Sequence, residues 1–308
     1  MLRIIKCLKN PKMILYYLDH KNLYRMNDEE YVKIMYKEKF KEYPNLEDPK
    51  TFNEKLQWLK LNDRKNEYTN LVDKYEAKKF VKGIIGEEYI IPTFGVWEKF
   101  DEIDFDKLPN QFVIKATHYG DGQGIFFIKD KNKIDSNIGK KMEDILHKNL
   151  YDYTREWPYK NVKPRILIEK YMKDEVHDNL MDYKLFCFNG IPKIILVCSN
   201  RNGHFKNTNF YDTEWNLMPF TRENHENNRN EIKKPKTLNE MLEISKKVSK
   251  DIPFVRVDLY EINGRVYFGE LTLYPSAGFE GFKPAKYDRI LGEMIELHKE
   301  NKKENNEK

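Results

Sequence analysis

The feature that most constrains the fold is a glycine-rich loop joining two apolar segments that are too short for helices. Residues 112–116 and 124–129 have the β-branched and aromatic content of buried strands, and the loop between them has a glycine at every second position from 120 to 124. Glycine lets a backbone approach phosphate oxygens closely, because no Cβ atom intervenes. A dinucleotide-binding fold or a P-loop would require a helix after the glycines, and the sequence indicates a strand instead. The pattern therefore predicts a flap that closes over phosphate groups beside Lys115; the alternative is a glycine-rich hairpin with an exposed lysine.

A hairpin over residues 254–272, turning at Asn263-Gly264, is the second strong pattern. A two-residue turn would place Asp258 and Glu270 on opposite faces. A three-residue loop ending at Gly264 would instead place Arg256 opposite Glu270, with Asp258 diagonal to it on the same face. Only the three-residue loop gathers the apolar residues on one face, so we predict that register. The other face then holds Arg256, Asp258, Phe268, Glu270 and Thr272.

Two carboxylates on rigid neighbouring strands suit a magnesium ion that is bound through oxygens and shared with substrate phosphates. A guanidinium beside them, here that of Arg256, suits a phosphoryl group in transfer. For the hairpin alone, a plain Arg256–Glu270 ion pair on a solvated face is an equally good interpretation. Together with the glycine flap, the hairpin predicts a site for phosphoryl chemistry.

The remaining sequence predicts an α+β fold with largely antiparallel sheets. Residues 1–45 have helical, amphipathic spacing, and Thr51 with Glu54 forms a capping box that opens a helix. Further helices are predicted at about 70–81, 138–150, 238–249 and 287–299, and further strands at about 89–91, 94–97, 165–171, 183–188 and 193–198. We predict four parts: an N-terminal helical extension (1–50), a smaller helical and α+β part (51–111), the main body (112–299) and a disordered tail (300–308).

Composition excludes several classes of protein. Hydrophobic residues make up 40% of the 308, which is enough for a core, and no apolar run approaches the ~20 residues of a membrane span. The three cysteines lack metal-ligand spacing. The 55 basic and 50 acidic residues nearly cancel, so we expect no nucleic-acid partner. We expect a cytoplasmic protein whose N-terminal helices pack on the body; contact with a membrane or glycan-assembly surface is the alternative.

Several stretches together resemble the TupA-like ATP-grasp proteins. The resemblance covers about residues 50–297 and is carried by the runs FNEKLQWLKL, VDKYEAKKFV, YIIPTFGVW, FVIKATHYGDG, DYKLFCFNGIPK and GELTLYPSAGFEGF. Proteins of this family are encoded among capsule, teichuronopeptide and other surface-polysaccharide biosynthesis genes and are often labelled glycosyltransferases. The resemblance implies an ATP-grasp fold, in which two antiparallel-sheet lobes clamp ATP.

The resemblance also implies roles for particular residues. Those expected to contact ATP are Lys74, Lys115, Gly120, Gly122, Gly124, Glu169, Lys170, Tyr171, Met172, Asp182, Lys184 and Phe268. Residues 169–172 would form the adenine-binding hinge, and the three glycines would close over the β- and γ-phosphates. Asp258 and Glu270 would hold Mg²⁺, with Thr272 as a third ligand where many relatives have Asn. Arg256, Lys115 and Lys184 would be catalytic.

The chemistry implied by the family is formation of an amide. ATP would phosphorylate a carboxylate, and an amine would attack the acyl phosphate to release phosphate; positioning and charge neutralisation suffice for both steps. The family suggests a uronic acid of a surface glycan as the acid and an amino acid as the amine. Candidate contacts to these substrates are Arg201, Tyr274, Ser276 and Lys283.

Two other functions are open. Asp104-Phe105-Asp106 has the DxD spacing with which glycosyltransferases bind a metal and a nucleotide-sugar, although its turn-rich setting favours a solvated acidic loop. The other is a catalytically silent ATP-grasp protein that acts as a scaffold or nucleotide sensor. The predicted function is therefore a carboxylate–amine ligase, with a glycosyltransferase as the alternative.

Overall fold

The structure, a computed structural model, describes residues 11–21, 23–120, 122–175, 180–199, 207–223, 225 and 232–298. Helices α1 to α9 are Met13–Asp19, Asp28–Phe40, Phe52–Asn62, Tyr68–Val72, Lys74–Ile85, Asn137–Leu146, Leu150–Thr154, Leu238–Val248 and Lys286–Glu293. Strands β1 to β11 are Thr93–Trp97, Phe112–Ala116, Ile125–Ile128, Ile166–Lys170, Met181–Phe188, Ile191–Ser199, Asn207–Asp212, Thr221–Arg222, Phe254–Ile262, Arg265–Thr272 and Phe282–Lys283. Short 3₁₀ helices span Glu87–Tyr89, Phe100–Glu102, Phe105–Lys107, Lys131–Lys133, Trp157–Asn161 and Pro275–Gly278.

The described strands form three sheets in which all ladder neighbours are antiparallel. One sheet has the order β1-β4-β2-β3, the second the order β10-β9-β5-β6-β7, and the third pairs β11 with β8. The predicted α+β class with antiparallel sheets is therefore confirmed. Strand β1 precedes the boundary predicted near 108–111 and pairs with β4, which follows it, so one sheet joins the two parts.

Local sequence rules account for most helix starts. The capping box predicted for α3 is present, with the Thr51 hydroxyl accepting from the Glu54 backbone N–H. The single helix predicted at 70–81 is wrong, because the Asp73 carboxylate accepts from the N–H groups of Tyr75 and Glu76 and starts α5 separately from α4. The strand predicted at 89–91 is also wrong. A 3₁₀ turn occupies Glu87–Tyr89 instead.

The β9–β10 hairpin differs from the predicted register. Its turn has two residues, Asn263 and Gly264, both left-handed with φ of 52° and 74°, so Arg265 pairs with Ile262 rather than with residue 261. A bulge between residues 268 and 270 then shifts the ladder by one residue. The predicted three-residue loop is therefore wrong. The bulge nevertheless returns Glu270 and Thr272 to the face that holds Arg256 and Asp258, as predicted.

The N-terminal helices α1 and α2 pack onto the body. Met13, Met26, Tyr31 and Ile34 form a buried cluster there, and the Tyr31 hydroxyl donates to the carbonyl of residue 153 at 2.5 Å. Packing on the body is thus confirmed for the described part of the extension, and membrane contact stays a prediction. Predictions for residues 1–10 and for the tail 300–308 lie outside the described residues. In the part of the chain described, no helix combines the length and apolarity needed to cross a bilayer.

Candidate active site

A cavity of about 920 Å³ is lined by residues of both large sheets. The four-stranded sheet contributes side chains of β2, β3 and β4, and the five-stranded sheet contributes side chains of all its strands. The volume lies near the upper end of the ~300–1,000 Å³ usual for ligand pockets. The cavity therefore has room for a nucleotide and for a second molecule beside it.

On the four-stranded sheet, the cavity wall carries a buried carboxylate between two lysines. Lys115 on β2 and Lys78 on α5 both form ion pairs with Glu169 on β4, the latter at 2.5 Å. Burial raises the pKa of Glu169, but the charges of Lys115 and Lys78 outweigh burial and hold that pKa below its ordinary value. Burial lowers the pKa of Lys78, whereas at Lys115 the attraction of Glu169 overcomes burial and raises the pKa.

On the five-stranded sheet, Asp258 is the centre of a second charged cluster. Strand pairing places Lys184 of β5 and Glu270 of β10 on either side of it. The Arg256 guanidinium donates to both Asp258 oxygens, at 2.6 and 2.7 Å, and Lys184 pairs with Asp258 as well as with Asp182 at 2.9 Å. Burial opposes ionisation of Asp258, but Arg256 and Lys184 hold its pKa below the ordinary value. Asp258 is therefore a buried carboxylate whose ionised form is stabilised by two neighbouring cations.

Glu270 differs from Asp258 in being a third exposed. Its carboxylate lies 3.4 Å from the Arg256 Nη2 atom and 4.0 Å from the Lys74 Nζ atom. The same Arg256 nitrogen donates to the Thr272 hydroxyl at 3.0 Å. One guanidinium thus touches all three residues expected to surround the metal ion.

The glycine loop is held beside Lys74, the first residue of α5. Its Nζ donates to the carbonyl of residue 119 at 2.8 Å, and burial lowers its pKa. Gly120 and Gly122 line the cavity, and Gly122 is left-handed with φ of 82°. Gly124 serves packing instead, because a Cβ there would lie 3.0 Å from the Ala116 Cβ atom. The predicted strand–loop–strand flap is confirmed for its described residues.

The end of the cavity next to β4 is more apolar. Residues 170–172 of the predicted hinge, 169–172, line it together with aliphatic and aromatic side chains, namely Ile91, Val113, Ile125, Phe127 and Leu167. The predicted position of Phe268 is wrong, since it pairs with Leu259 ahead of the bulge and is buried on the other face. Tyr260 lines the cavity from β9. Apolar walls with nearby cations suit a flat base joined to phosphates.

The oxygen donors beside Arg256 match part of the ligand set that a magnesium ion takes in proteins. The described residues contain no group of three or more His, Cys, Asp or Glu placed to hold a metal. They do bring together two carboxylates, Asp258 and Glu270, with the hydroxyl of Thr272 bonded to the same arginine. Magnesium commonly uses one or two protein carboxylates and takes its other oxygens from water and substrate phosphates. The residues therefore fit a magnesium ion that arrives with a phosphate ligand.

The segment after β10 has an unusual backbone. Residues 276, 277 and 278 all have left-handed φ angles, of 50°, 54° and 67°, although the first two are Ser and Ala. Such angles cost free energy in residues with a Cβ atom, and they persist only where neighbours enforce them. The segment therefore requires a specific support.

That support is one face of helix α3. Asn53, Gln57 and Lys60 recur at helical spacing, and all three are at least 99% buried. Gln57 donates to the carbonyls of Ala277 and Gly278 at 3.1 and 2.6 Å, and Lys60 donates to Ala277 at 2.9 Å. Asn53 donates to the carbonyl of residue 280 at 2.8 Å. Polar atoms of α3 thus fix the path of the loop that follows the carboxylate strand.

Most predicted site residues meet in this one cavity. Those lining it are Lys74, Lys115, Gly120, Gly122, Glu169, Lys170, Tyr171, Met172, Asp182, Lys184, Arg256, Asp258 and Glu270, whereas Gly124, Phe268 and Thr272 do not line it. The suggested substrate contacts Tyr274, Ser276 and Lys283 are also outside it, and Arg201 lies outside the described residues. The individual roles of these residues stay predictions.

Sequence reasoning missed several cavity residues of chemical interest, among them Lys78, Thr208, Arg222 and His225. Lys78 lies one helical turn after Lys74, so helical spacing could have indicated it. Thr208 and Arg222 belong to strands β7 and β8, for which no strand was predicted, and no motif marks them.

The DxD segment has a local structural role. The Asp104 carboxylate accepts from the backbone N–H of Asp106 and pairs with Lys107, which starts a 3₁₀ helix. Neither aspartate lines the cavity.

The flap histidine, His118, is buried and contacts the carbonyl of residue 145 at 3.1 Å, which is an ordinary structural contact.

Two antiparallel sheets with a glycine flap and paired carboxylates define a class of nucleotide-clamping proteins. A family model described as TupA-like ATPgrasp matches residues 54–296. The chain belongs to the TupA-like ATP-grasp family, as its motifs predicted. Among curated proteins, none matches this sequence.

Several solved structures are similar to this chain at low identity. The D-alanine–D-alanine ligase of Bacillus anthracis is 20% identical with a TM-score of 0.38, over 66% of this chain and 57% of its own. The N5-carboxyaminoimidazole synthetase of Staphylococcus aureus, complexed with ADP, is 17% identical with a TM-score of 0.40, over 71% and 50%. The chain spans less than two thirds of the length of these structures. Similarity at this level carries no argument about function.

Proposed function

We propose that this protein is an ATP-dependent carboxylate–amine ligase that releases ADP and phosphate. The observation that carries the proposal is the cluster of Asp258, Glu270 and Arg256, in a cavity that Lys115 and Lys74 enter from the other side. Membership of an ATP-grasp family supports ATP as the nucleotide.

In this proposal, Asp258 and Glu270 hold Mg²⁺, with Thr272 beside them, and ATP supplies the phosphoryl group. Lys74 and Lys115 neutralise phosphate oxygens, while Gly120 and Gly122 allow the flap backbone to approach them. The apolar walls near residues 170–172 surround the base, and Asp182 lies within reach of the ribose. Every one of these tasks is positioning or charge neutralisation, which is what phosphoryl transfer requires.

Amide formation follows from the chemistry of the acid. An acid oxygen attacks the γ-phosphorus to form an acyl phosphate and ADP, and the amine nitrogen then attacks the acyl carbon, with phosphate leaving. In this proposal, Arg256 and Lys184, which both pair with Asp258, stabilise the negative charge of the transferred group. No covalent nucleophile of the protein is needed.

The substrates belong to surface-polysaccharide biosynthesis in this proposal. The family is encoded among capsule and teichuronopeptide genes, which suggests a uronic acid of a glycan or its precursor as the acid and an amino acid as the amine. The reaction belongs in the cytoplasm, where Mg·ATP is available. A glycosyltransferase is the competing function, and the choice of nucleotide ligand separates the two.

The first test is thermal stabilisation by Mg·ATP compared with UDP-sugars. A ligand at a hundredfold excess over its Kd stabilises the native state by about 2.7 kcal/mol. We expect a magnesium-dependent shift with ATP that is lost in Glu270→Gln and kept in Glu293→Gln, a matched change on the surface of α9. A shift with UDP-sugars and none with ATP would overturn the proposal.

The second test uses hydroxylamine as a general nucleophile. Acids that the enzyme activates should give ADP, phosphate and a hydroxamate in equal amounts, because hydroxylamine replaces the amine. ATP binding without ADP release across a panel of acids would instead indicate a nucleotide sensor.

A further inference from the structure

The cavity continues past the charged cluster to the edge of the five-stranded sheet. Strand pairing places Asp182 of β5 next to Cys198 of β6, and Cys198 next to Thr208 of β7. Neighbouring strands are about 4.8 Å apart, so Thr208 lies roughly 10 Å from Asp182 across the sheet. All three residues line the cavity. A molecule in this part of the cavity would lie beside the phosphoryl-transfer cluster.

Thr208 has an unsatisfied hydroxyl there. It is fully buried, and its Oγ1 atom has no hydrogen-bond partner among the described residues. A buried hydroxyl without a partner is costly and is rare in folded proteins. Thr208 is among the residues that line the cavity, so a ligand bound there that reaches this hydroxyl and accepts a hydrogen bond would satisfy it.

Arg222 supplies a cation to the same end of the cavity. Its Nε atom lies 3.2 Å from a Glu280 oxygen, and its two Nη groups donate no hydrogen bond within the described part of the chain. His225 lies beside it, with Nε2 3.8 Å from the other Glu280 oxygen. Glu280 does not line the cavity, so it contacts the Arg222 guanidinium from outside the cavity wall. The Nη groups are then available to a ligand in the cavity.

Arg222 differs in this respect from the other buried cations of the cavity. Lys78 and Lys115 pair with Glu169, and Lys184 and Arg256 pair with Asp258. Both of those carboxylates line the cavity, whereas the counter-ion of Arg222 does not. Arg222 is therefore a cation of the cavity wall whose counter-ion lies outside that wall.

From this arrangement we propose that Thr208, Arg222 and His225 form a subsite that binds a carboxylate group of the acid substrate. A guanidinium with two free Nη groups matches the two oxygens of a carboxylate, and the threonine hydroxyl adds a third donor. That the bound acid is a substrate rests on the proposed ligase function. The affinity of the subsite for a carboxylate does not depend on that function. The subsite places the acid across the sheet from the bound nucleotide.

The test uses two variants and one control. Arg222→Gln removes the cation, Thr208→Val removes the hydroxyl at nearly constant shape, and Arg289→Gln is the same change on an exposed arginine of α9. The probes are D-glucuronate, D-galacturonate and L-glutamate, with D-glucose as a neutral analogue and inorganic phosphate as a competing anion. Ligand-observed NMR measures binding, and hydroxylamine-coupled ADP release measures turnover.

We expect at least one of the acids to bind the wild type and the control, with D-glucose and phosphate at least tenfold weaker. Arg222→Gln should raise the Kd or KM of that acid at least tenfold, and Thr208→Val several-fold, while the Kd of Mg·ATP changes less than twofold. Equal acid binding in the wild type and in Thr208→Val and Arg222→Gln would overturn the subsite. Acid binding by none of the proteins would also overturn it.

The two proposals fail in different ways. Absence of ADP release from a wild type that binds an acid through Arg222 would overturn the ligase and keep the subsite. Turnover with an unchanged KM in both variants would keep the ligase and overturn the subsite. If Arg222→Gln does not fold, as judged by its thermal unfolding, Thr208→Val decides.

Discussion

Asp258 lies directly opposite Glu270 across strands β9 and β10. This pairing results from the two-residue turn of the hairpin together with a bulge in β10. The two-residue turn alone would place the carboxylates on opposite faces of the hairpin. The bulge at Gly269 adds one residue to β10 and restores a common face. The geometry of the candidate metal site therefore depends on a residue without a side chain.

Gly269→Ala should weaken nucleotide binding. A Cβ atom there would lie 3.0 Å from the Asp258 carbonyl oxygen and 3.1 Å from the Tyr260 ring, so the two strands would have to separate. We expect a loss of about 1–3 kcal/mol in the free energy of unfolding and a smaller thermal shift with Mg·ATP. Gly83→Ala is the control, because nothing lies within 4 Å of its Cβ and helix α5 gains about 0.5–1 kcal/mol. Unchanged Mg·ATP binding in Gly269→Ala would show that the bulge does not set the site.

Glu169→Gln should be strongly destabilising. It would leave Lys78 and Lys115 buried without a counter-charge, and removal of one partner from a buried ion pair costs about 3–5 kcal/mol. Chemical denaturation at pH 7 measures the change. Glu98→Gln removes an exposed partner of Lys163 and should leave the free energy of unfolding unchanged. Similar effects of the two changes would mean that the buried pair is not needed for stability.

The destabilisation by Glu169→Gln should also depend on pH. Burial opposes ionisation of Glu169, but Lys115 and Lys78 bring its folded-state pKa below the ordinary 4.5. Its stabilising contribution is therefore complete above pH 4.5 and is lost as the pH falls through the lower folded-state pKa. The difference in the free energy of unfolding between the wild type and Glu169→Gln should therefore decrease as the pH falls below 4.5. A difference that stays constant from pH 7 to pH 3 would contradict this assignment.

Gln57→Leu tests the support beneath the left-handed loop. The change leaves the carbonyls of Ala277 and Gly278 without their Gln57 donor, at a cost of about 1–3 kcal/mol for buried polar groups left unpaired. Asn62→Ala removes an exposed amide from the same helix and should stay within about 0.5 kcal/mol of the wild type. Equal stability of the two variants would show that Gln57 does not hold the loop.

Features set by neighbouring residues were predictable from the sequence. The Thr51–Glu54 capping box, the strand–loop–strand flap and the alternating apolar strands all follow from local rules, and they are present. Most of the residues to which the family motifs pointed line the cavity. The common face of Asp258 and Glu270 was also correct.

The errors arose where non-local packing decides between close alternatives. Turn length and bulge position both control strand parity, and sequence alternation cannot distinguish a longer turn from a shorter turn followed by a bulge. Phe268 was assigned to the wrong face for that reason. Arg222 lies on a two-residue strand, and its place at the cavity depends on Glu280, which is 58 residues away in the sequence.

The hydrogen bonds that helix α3 donates to the loop after β10 all end on main-chain oxygens, at Ala277, Gly278 and Glu280. Every amino acid carries such an oxygen, so the course of the loop is independent of most of its side chains. The side chain at position 277 can therefore change during evolution without loss of the hydrogen bonds that fix the loop and Glu280, which pairs with Arg222. The fold separates the shape of this region from its chemistry, and related enzymes could acquire new substrates by substituting side chains on an unchanged backbone.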